Sequence, residues 1–222
     1  AALGDVGADI VLLQETTPDW EDLLRHRVGP GRDYSHCFFH TYDPAGKERP
    51  PAGGIAVLSR YPLGATSIIE SPVDWFPALL TNVEVEGGEV QFLNVHLHPP
   101  LTSAALPLPH AAVTSKTERH LEVRHYQAYL DPTRPLVVAG DFNESHGAAS
   151  ARLFWESLGM RSVLQEFSPK ETTTWWWSLP GGVRASAPFD HMFYSQLTCV
   201  AGGVHTAGAS DHYPIYGDFT CP

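Results

Sequence analysis

The sequence predicts an α/β chain in which stacked β-sheets are flanked by a few helices. Three observations carry this. Short apolar runs recur along the chain, each set off by Gly, Pro or polar clusters. Only a few stretches repeat apolar residues at helical spacing. A chain of 222 residues with 43% hydrophobic content is long enough for one large core and for two packed sheets. No repeat or linker divides it, so residues 1–222 read as a single domain.

Ile10 to Leu13 is the first apolar run, and Pro18 to Arg27 reads as a helix with Pro18 in its first turn. The runs Gly54 to Leu58 (GIAVL), Leu79 to Val85 (LLTNVEV) and Val90 to Leu97 (VQFLNVHL) follow. Glu86-Gly87-Gly88-Glu89 between the last two reads as a hairpin turn. Pro99 to Pro109 is a proline-rich loop, and Ser115 to Leu130 is the best helical stretch. Leu136 to Ala139 is short and valine-rich, as a strand buried on both faces would be. Gly140 is expected to end its pairing, since glycine takes backbone conformations that other residues avoid. A second helical stretch covers Ala148 to Leu158. In Thr172 to Trp177 (TTTWWW), strand alternation puts Trp175 and Trp177 on a buried face and Trp176 on the other. The last apolar runs are Phe189 to Tyr194, Cys199 to Val204 and Tyr213 to Phe219.

The formal net charge is −11. Such a surface offers no electrostatic footprint for tight, sequence-independent binding of nucleic acid. It leaves a nuclease open, because metal ions reverse the field within a cleft. The apolar runs are too short to span a bilayer, and no signal peptide is visible. Cys37, Cys199 and Cys221 lack metal-site spacing; a Cys199–Cys221 disulfide is expected if their strands are neighbours.

The polar residues at the strand ends carry the chemistry. Ile10 to Leu13 leads to Glu15. FLNVHLH holds Asn94, His96 and His98 at alternating positions. VVAGDFN gives Asp141 and Asn143, two apart and so on one side of an extended backbone. An Asx turn alone explains that stretch. PFDHMFY supplies Asp190, and GASDHYP supplies Ser210, Asp211 and His212. Each has a bland reading as a solvated tip, a satisfied core histidine or a turn cap. Their recurrence points to hard-cation and phosphoester chemistry, which needs carboxylate oxygens and a base.

In the order LLQE, NVHL, GDFN, FDHMFY and SDHYP, with GGIAVLSRYPL between the first two, these motifs resemble the endonuclease/exonuclease/phosphatase superfamily over nearly the whole chain. The resemblance implies a four-layer α/β sandwich, with two mixed β-sheets packed face to face and helices outside. It implies a divalent-metal-dependent phosphoester hydrolase with Mg²⁺ (or Mn²⁺) held by Glu15 and Asp211; a monomer is expected. Asp141 would activate the attacking water and Asn143 would position it. His212, oriented by Asp190, would contact the scissile phosphate; His96 would bind a phosphate oxygen or protonate the leaving group. Asn94, Trp176 and Arg184 are the candidate substrate-binding residues.

The first strand of that superfamily carries an asparagine of the metal site. This chain begins at Ala1 within the helix expected to follow it, so the strand is expected to be missing. The Trp-Cys-Asp-Arg signature of inositol phosphatases is absent, and no basic helix like those of abasic-site enzymes is seen. The expected substrate is nucleic acid or a nucleotide-like phosphodiester. The alternatives are a phosphatase or lipid phosphodiesterase, and a catalytically inactive binding module.

Overall fold

The computed structural model describes residues 2–27, 33–41, 53–100, 108–170, 173–178, 181–182 and 184–221. It is a mixed α/β sandwich. The elements in chain order begin with helix α1 (Ala2–Val6), strand β1 (Ile10–Thr16), helix α2 (Pro18–Arg27) and strands β2 (His36–His40), β3 (Gly54–Ser59), β4 (Leu63–Ile69), β5 (Ala78–Val85) and β6 (Gly88–His96). Helix α3 (Leu108–Gln127), strand β7 (Leu136–Asp141), helix α4 (Ala149–Ser157), strand β8 (Arg161–Ser162) and helix α5 (Val163–Phe167) follow. The chain closes with β9 (Trp175–Ser178), β10 (Arg184–Ala187), β11 (Asp190–Ser195), β12 (Thr198–Val204) and β13 (Ile215–Thr220).

The large sheet has the order β4-β5-β6-β7-β11-β8. Its one parallel pair is β6 with β7, and a parallel pair needs a long crossover, here made by α3. A second layer holds two separately paired pieces, β1-β3-β2 and β12-β13. Among the described residues β1 pairs with β3 alone. Hairpin β9–β10 is a separate two-stranded sheet that a bridge between Trp175 and His212 joins to the chain ahead of β13.

Strand alternation builds both faces of the large sheet. Leu93, Val95, Val138 and Phe193 face α3 and α4, where Val123, Tyr126, Ala151 and Phe154 complete the core. Val90, Val137, Ala139 and Tyr194 face the second layer and meet Leu12, Cys199 and Phe219. Ile55, Val57 and Leu79 close the same interlayer core beside Ile10 and Phe38.

Four expectations change. Gly140 does not end the strand: it pairs with Val95 on one side and His191 on the other, at φ 141°. Its packing explains the residue, since a Cβ there would lie 2.0 Å from the Val95 carbonyl oxygen. Cys199 and Cys221 are free thiols although their strands are neighbours, because Cys199 stands opposite Phe219 rather than Cys221. Trp177 is 54% exposed rather than buried. Helix α3 also starts at Leu108, ahead of the expected Ser115, and most of the expected proline-rich loop lies outside the described residues. No described helix is long and apolar enough to cross a membrane.

Candidate active site

The register of the large sheet builds the site. His96 of β6 lies opposite Asp141 of β7, and Asp141 lies opposite Asp190 of β11. All three therefore stand in one row across the sheet, on the same interlayer face as Asn94, Ala139 and Met192 and one alternation toward the same edge. The row is nearly closed to solvent, with His96, Asp141 and Asp190 each about 6–7% exposed. Phe76 and Trp75 wall His96, with ring centroids 5.2 and 6.2 Å from it.

The second layer brings the remaining groups over this row. His212 Nδ1 lies 2.9 and 3.1 Å from the two Asp190 carboxylate oxygens. Its Nε2 stands 3.8 Å from Asp141 Oδ2, and His96 Nε2 stands 3.7 Å from the same oxygen. These gaps exceed a hydrogen bond and leave Asp141 Oδ2 facing two imidazole nitrogens. Glu15 reaches the row from β1, with Oε1 3.8 Å from His96 Nε2. It sits where the β1 register shifts, at φ 56°, so a bulge in the strand turns this side chain toward the rim. Asp211 enters beside His212, and its carbonyl accepts from Trp176 N. Thr174 Oγ1 accepts from the amides of Phe189 and Asp190, fixing the start of β11.

The GDFN stretch is a strand end and an Asx turn at once. Asn143 N donates to Asp141 Oδ1 at 2.7 Å, and the turn puts Asn143 at φ 51°. Asn143 Nδ2 donates to the Leu97 carbonyl, tying the turn to the end of β6.

Two candidate substrate residues sit on hairpin β9–β10, which Trp176 N ties to the Asp211 carbonyl. Arg184 stacks its guanidinium 3.8 Å from the Trp176 ring centroid across hairpin β9–β10. Asn94 is elsewhere: it is fully buried, and its Nδ2 donates to the carbonyls of Leu13 and Ala56 while Gln14 Nε2 donates to its Oδ1. It rivets the two layers together and does not reach the cleft.

Electrostatics divide the two imidazoles. For His212, burial works downward, but the hydrogen bond and charge of Asp190, with Asp141 and Asp211, outweigh it and raise the pKa to about 9. For His96, burial and then the charge of His212 push it down to about 3. Burial and the neighbouring Asp190 charge raise the Asp141 carboxyl well above the ordinary range, against the pull of His212. The site thus holds one charged imidazole, one neutral imidazole and a carboxylate of raised basicity.

Among the described residues, Asp141, Asp190 and His212 form the compact cluster of potential metal ligands. The short His212–Asp190 bonds already occupy part of that cluster. Glu15 and Asp211, the expected metal residues, lie outside that cluster, but both flank the row, and carboxylate oxygens of this kind suit a hard divalent cation.

Behind the row lies buried charge that the sequence does not reveal. Glu144 follows Asn143 directly and is 6% exposed; Arg119 of α3 is 3% exposed and donates to it. His191, beside Asp190, donates to the Glu144 carbonyl. Glu144 stands within the GDFNES stretch itself, but only the fold shows that it turns inward.

Residues 1–212 match the Endonuclease/Exonuclease/phosphatase family, and the chain belongs to that family. Among solved structures it resembles an endonuclease/exonuclease/phosphatase from Beutenbergia cavernae at TM-score 0.75 and 20% identity, covering 99% of this chain and 64% of that one. It resembles the human Nocturnin catalytic domain with bound sulfate at TM-score 0.71 and 19% identity, covering 98% and 83%. Zebrafish (D. rerio) TDP2 complexed with single-strand DNA product aligns at TM-score 0.69 and 17% identity, covering 98% and 88%. A UPF0294 protein of Vibrio cholerae is 37% identical over 87 residues, which are 38% of this chain and 27% of the relative.

Proposed function

We propose that the chain is a divalent-metal-dependent phosphodiesterase acting on nucleic acid or a nucleotide-like substrate. The observation that carries the reading is the single row His96–Asp141–Asp190, capped by a His212 that Asp190 holds and charges. Glu15 and Asp211 are the residues that would hold Mg²⁺ or Mn²⁺, which when bound would neutralise charge on the phosphate oxygens.

The protein's own groups then divide the work. Asp141 takes the proton of the attacking water; its raised pKa makes it a stronger base than an ordinary carboxylate. The Asx turn places Asn143 beside that base. His212, protonated at neutral pH, offers Nε2–H to the phosphate while Asp190 fixes its ring through Nδ1. His96 is neutral, so it serves as a hydrogen-bonding partner of a phosphate oxygen rather than as the acid for the leaving group. Trp176, with Arg184 stacked on it, gives a planar cationic platform for a base or sugar. The single-strand DNA product in zebrafish TDP2 supports a polynucleotide in a cleft of this fold.

A phosphatase or lipid phosphodiesterase is the second reading, favoured by the net charge of −11, which disfavours a long polyanion. A panel with Mg²⁺ decides between them: single-stranded and plasmid DNA, a mononucleotide, an inositol phosphate and sphingomyelin. Turnover of nucleic acid supports the proposal. Turnover confined to the monoesters or the lipid selects the second reading, and no turnover of any member points to an inactive binding module.

A further inference from the structure

We infer that the buried Arg119–Glu144 ion pair positions the catalytic row, so that α3 acts as a clamp on three catalytic segments at once. The inference rests on the phosphoesterase reading for its kinetic test. Glu144 is the junction. Its Oε2 accepts from Arg119 Nε at 3.1 Å, and its Oε1 accepts from Ala151 N in α4. Its own carbonyl accepts from His191 Nε2 at 2.8 Å. Asn143 precedes it and His191 follows Asp190, so one residue carries the position of both the Asx turn and β11.

Arg119 serves the third segment. Its Nη1 donates to the His98 carbonyl at 2.9 Å, and Glu122, one turn along α3, accepts from His98 N at 2.9 Å. The backbone of His98 is thus held at both its donor and its acceptor, two residues past His96. Leu97, between them, accepts from Asn143 Nδ2 and donates to the Asp141 carbonyl. Every bond here ends one or two residues from a catalytic side chain.

A core contact serving stability alone has no need of this arrangement. A buried ion pair replaced by apolar groups often costs little, whereas one charge left unpaired costs much. The pair instead ties Arg119 to the His98 carbonyl and Glu144, whose backbone also holds His191, to the start of α4, so it fixes segments where small misplacements are expensive in rate.

The test uses the full chain with Mg²⁺ and bis(p-nitrophenyl) phosphate. Glu144→Gln and Arg119→Lys are each expected to lower kcat roughly 10- to 100-fold while KM moves less than about threefold. The double variant Arg119→Met with Glu144→Leu is expected to regain melting temperature over the single variants without regaining kcat. A double variant that recovers both shows the pair to be structural and overturns the inference. So does near-wild-type kcat in a folded Arg119→Lys or Glu144→Gln. Mn²⁺ titration by calorimetry gives a readout free of turnover. If the wild type binds Mn²⁺ but hydrolyses nothing, a clear loss of affinity in Glu144→Gln sustains the positioning while the proposed function falls. Unchanged affinity in that case overturns it.

Discussion

His212 holds Asp190 through Nδ1 at 2.9 Å and presents Nε2 to Asp141 3.8 Å away. The imidazole is therefore wedged between two carboxylates, and its charge state follows from them. Because its folded pKa is raised to about 9 from 6.5, its contribution to stability is complete below about pH 6.5 and is lost as pH rises through about 9. Asp190→Asn removes the hydrogen-bonded charge and leaves burial to dominate. The His212 titration, followed by NMR, is expected to fall well below that of the wild type, and the alkaline limb of the pH–rate profile should move down with it. An alkaline limb that stays in place would show that His212 does not act as its cation.

Asp141→Asn keeps the size of the side chain and removes the base. Hydrolysis is expected to drop on the order of 10²- to 10⁴-fold. Stability should go the other way. A carboxyl whose folded pKa is raised costs stability as pH climbs above its unfolded value, so the amide should melt no lower than wild type at neutral pH. Parallel kinetics and thermal melts check both, and activity within about threefold of wild type removes Asp141 from the base role.

Gly140→Ala places a methyl group against the Val95 carbonyl in a backbone conformation with φ 141°. The expected cost is at least about 3 kcal/mol, because strain and steric overlap add. Denaturant unfolding measures it; a loss under about 1 kcal/mol would mean that β6 and β7 separate easily.

Trp176→Ala is expected to raise KM for a short single-stranded oligonucleotide about fivefold or more, the equivalent of one lost stacking contact. KM for a phosphodiester without a base should hold. Equal effects on both substrates would make Trp176 a support for the hairpin rather than a stacking platform.

The sequence was most legible where one strand spoke for itself. Helix α2 runs from Pro18 to Arg27 as its proline and periodicity predict, and the Gly87-Gly88 turn joins β5 to β6. Strand β4 escaped because its Gly, Ala, Thr and Ser residues carry no strong alternation. Asp141 and His96 were visible as polar tips, but their row with Asp190 depends on register between segments distant in sequence. Asn94 looked like a site residue because it alternates with His96; only the second layer above it shows that its amide is consumed by Leu13 and Ala56. Arg119 is one of several cations in the α3 sequence, with Lys116 and Arg124. Its burial could not be read without knowing that the turn after Asn143 brings Glu144 beneath α3.

The parallel pairing of β6 with β7 has a consequence for how the protein comes into being. The two strands cannot zip from a local turn; the chain must first lay α3 across the sheet and return, a slow loop-closing event. Asp190 and His212 are supplied later still by the chain order. During synthesis on the ribosome, the emerging polypeptide therefore holds Glu15 and His96 long before Asp190 and His212 complete the row. If the proposed phosphoesterase chemistry holds, it arrives only with the last segments, so a truncated translation product lacking Asp190 and His212 would be inert.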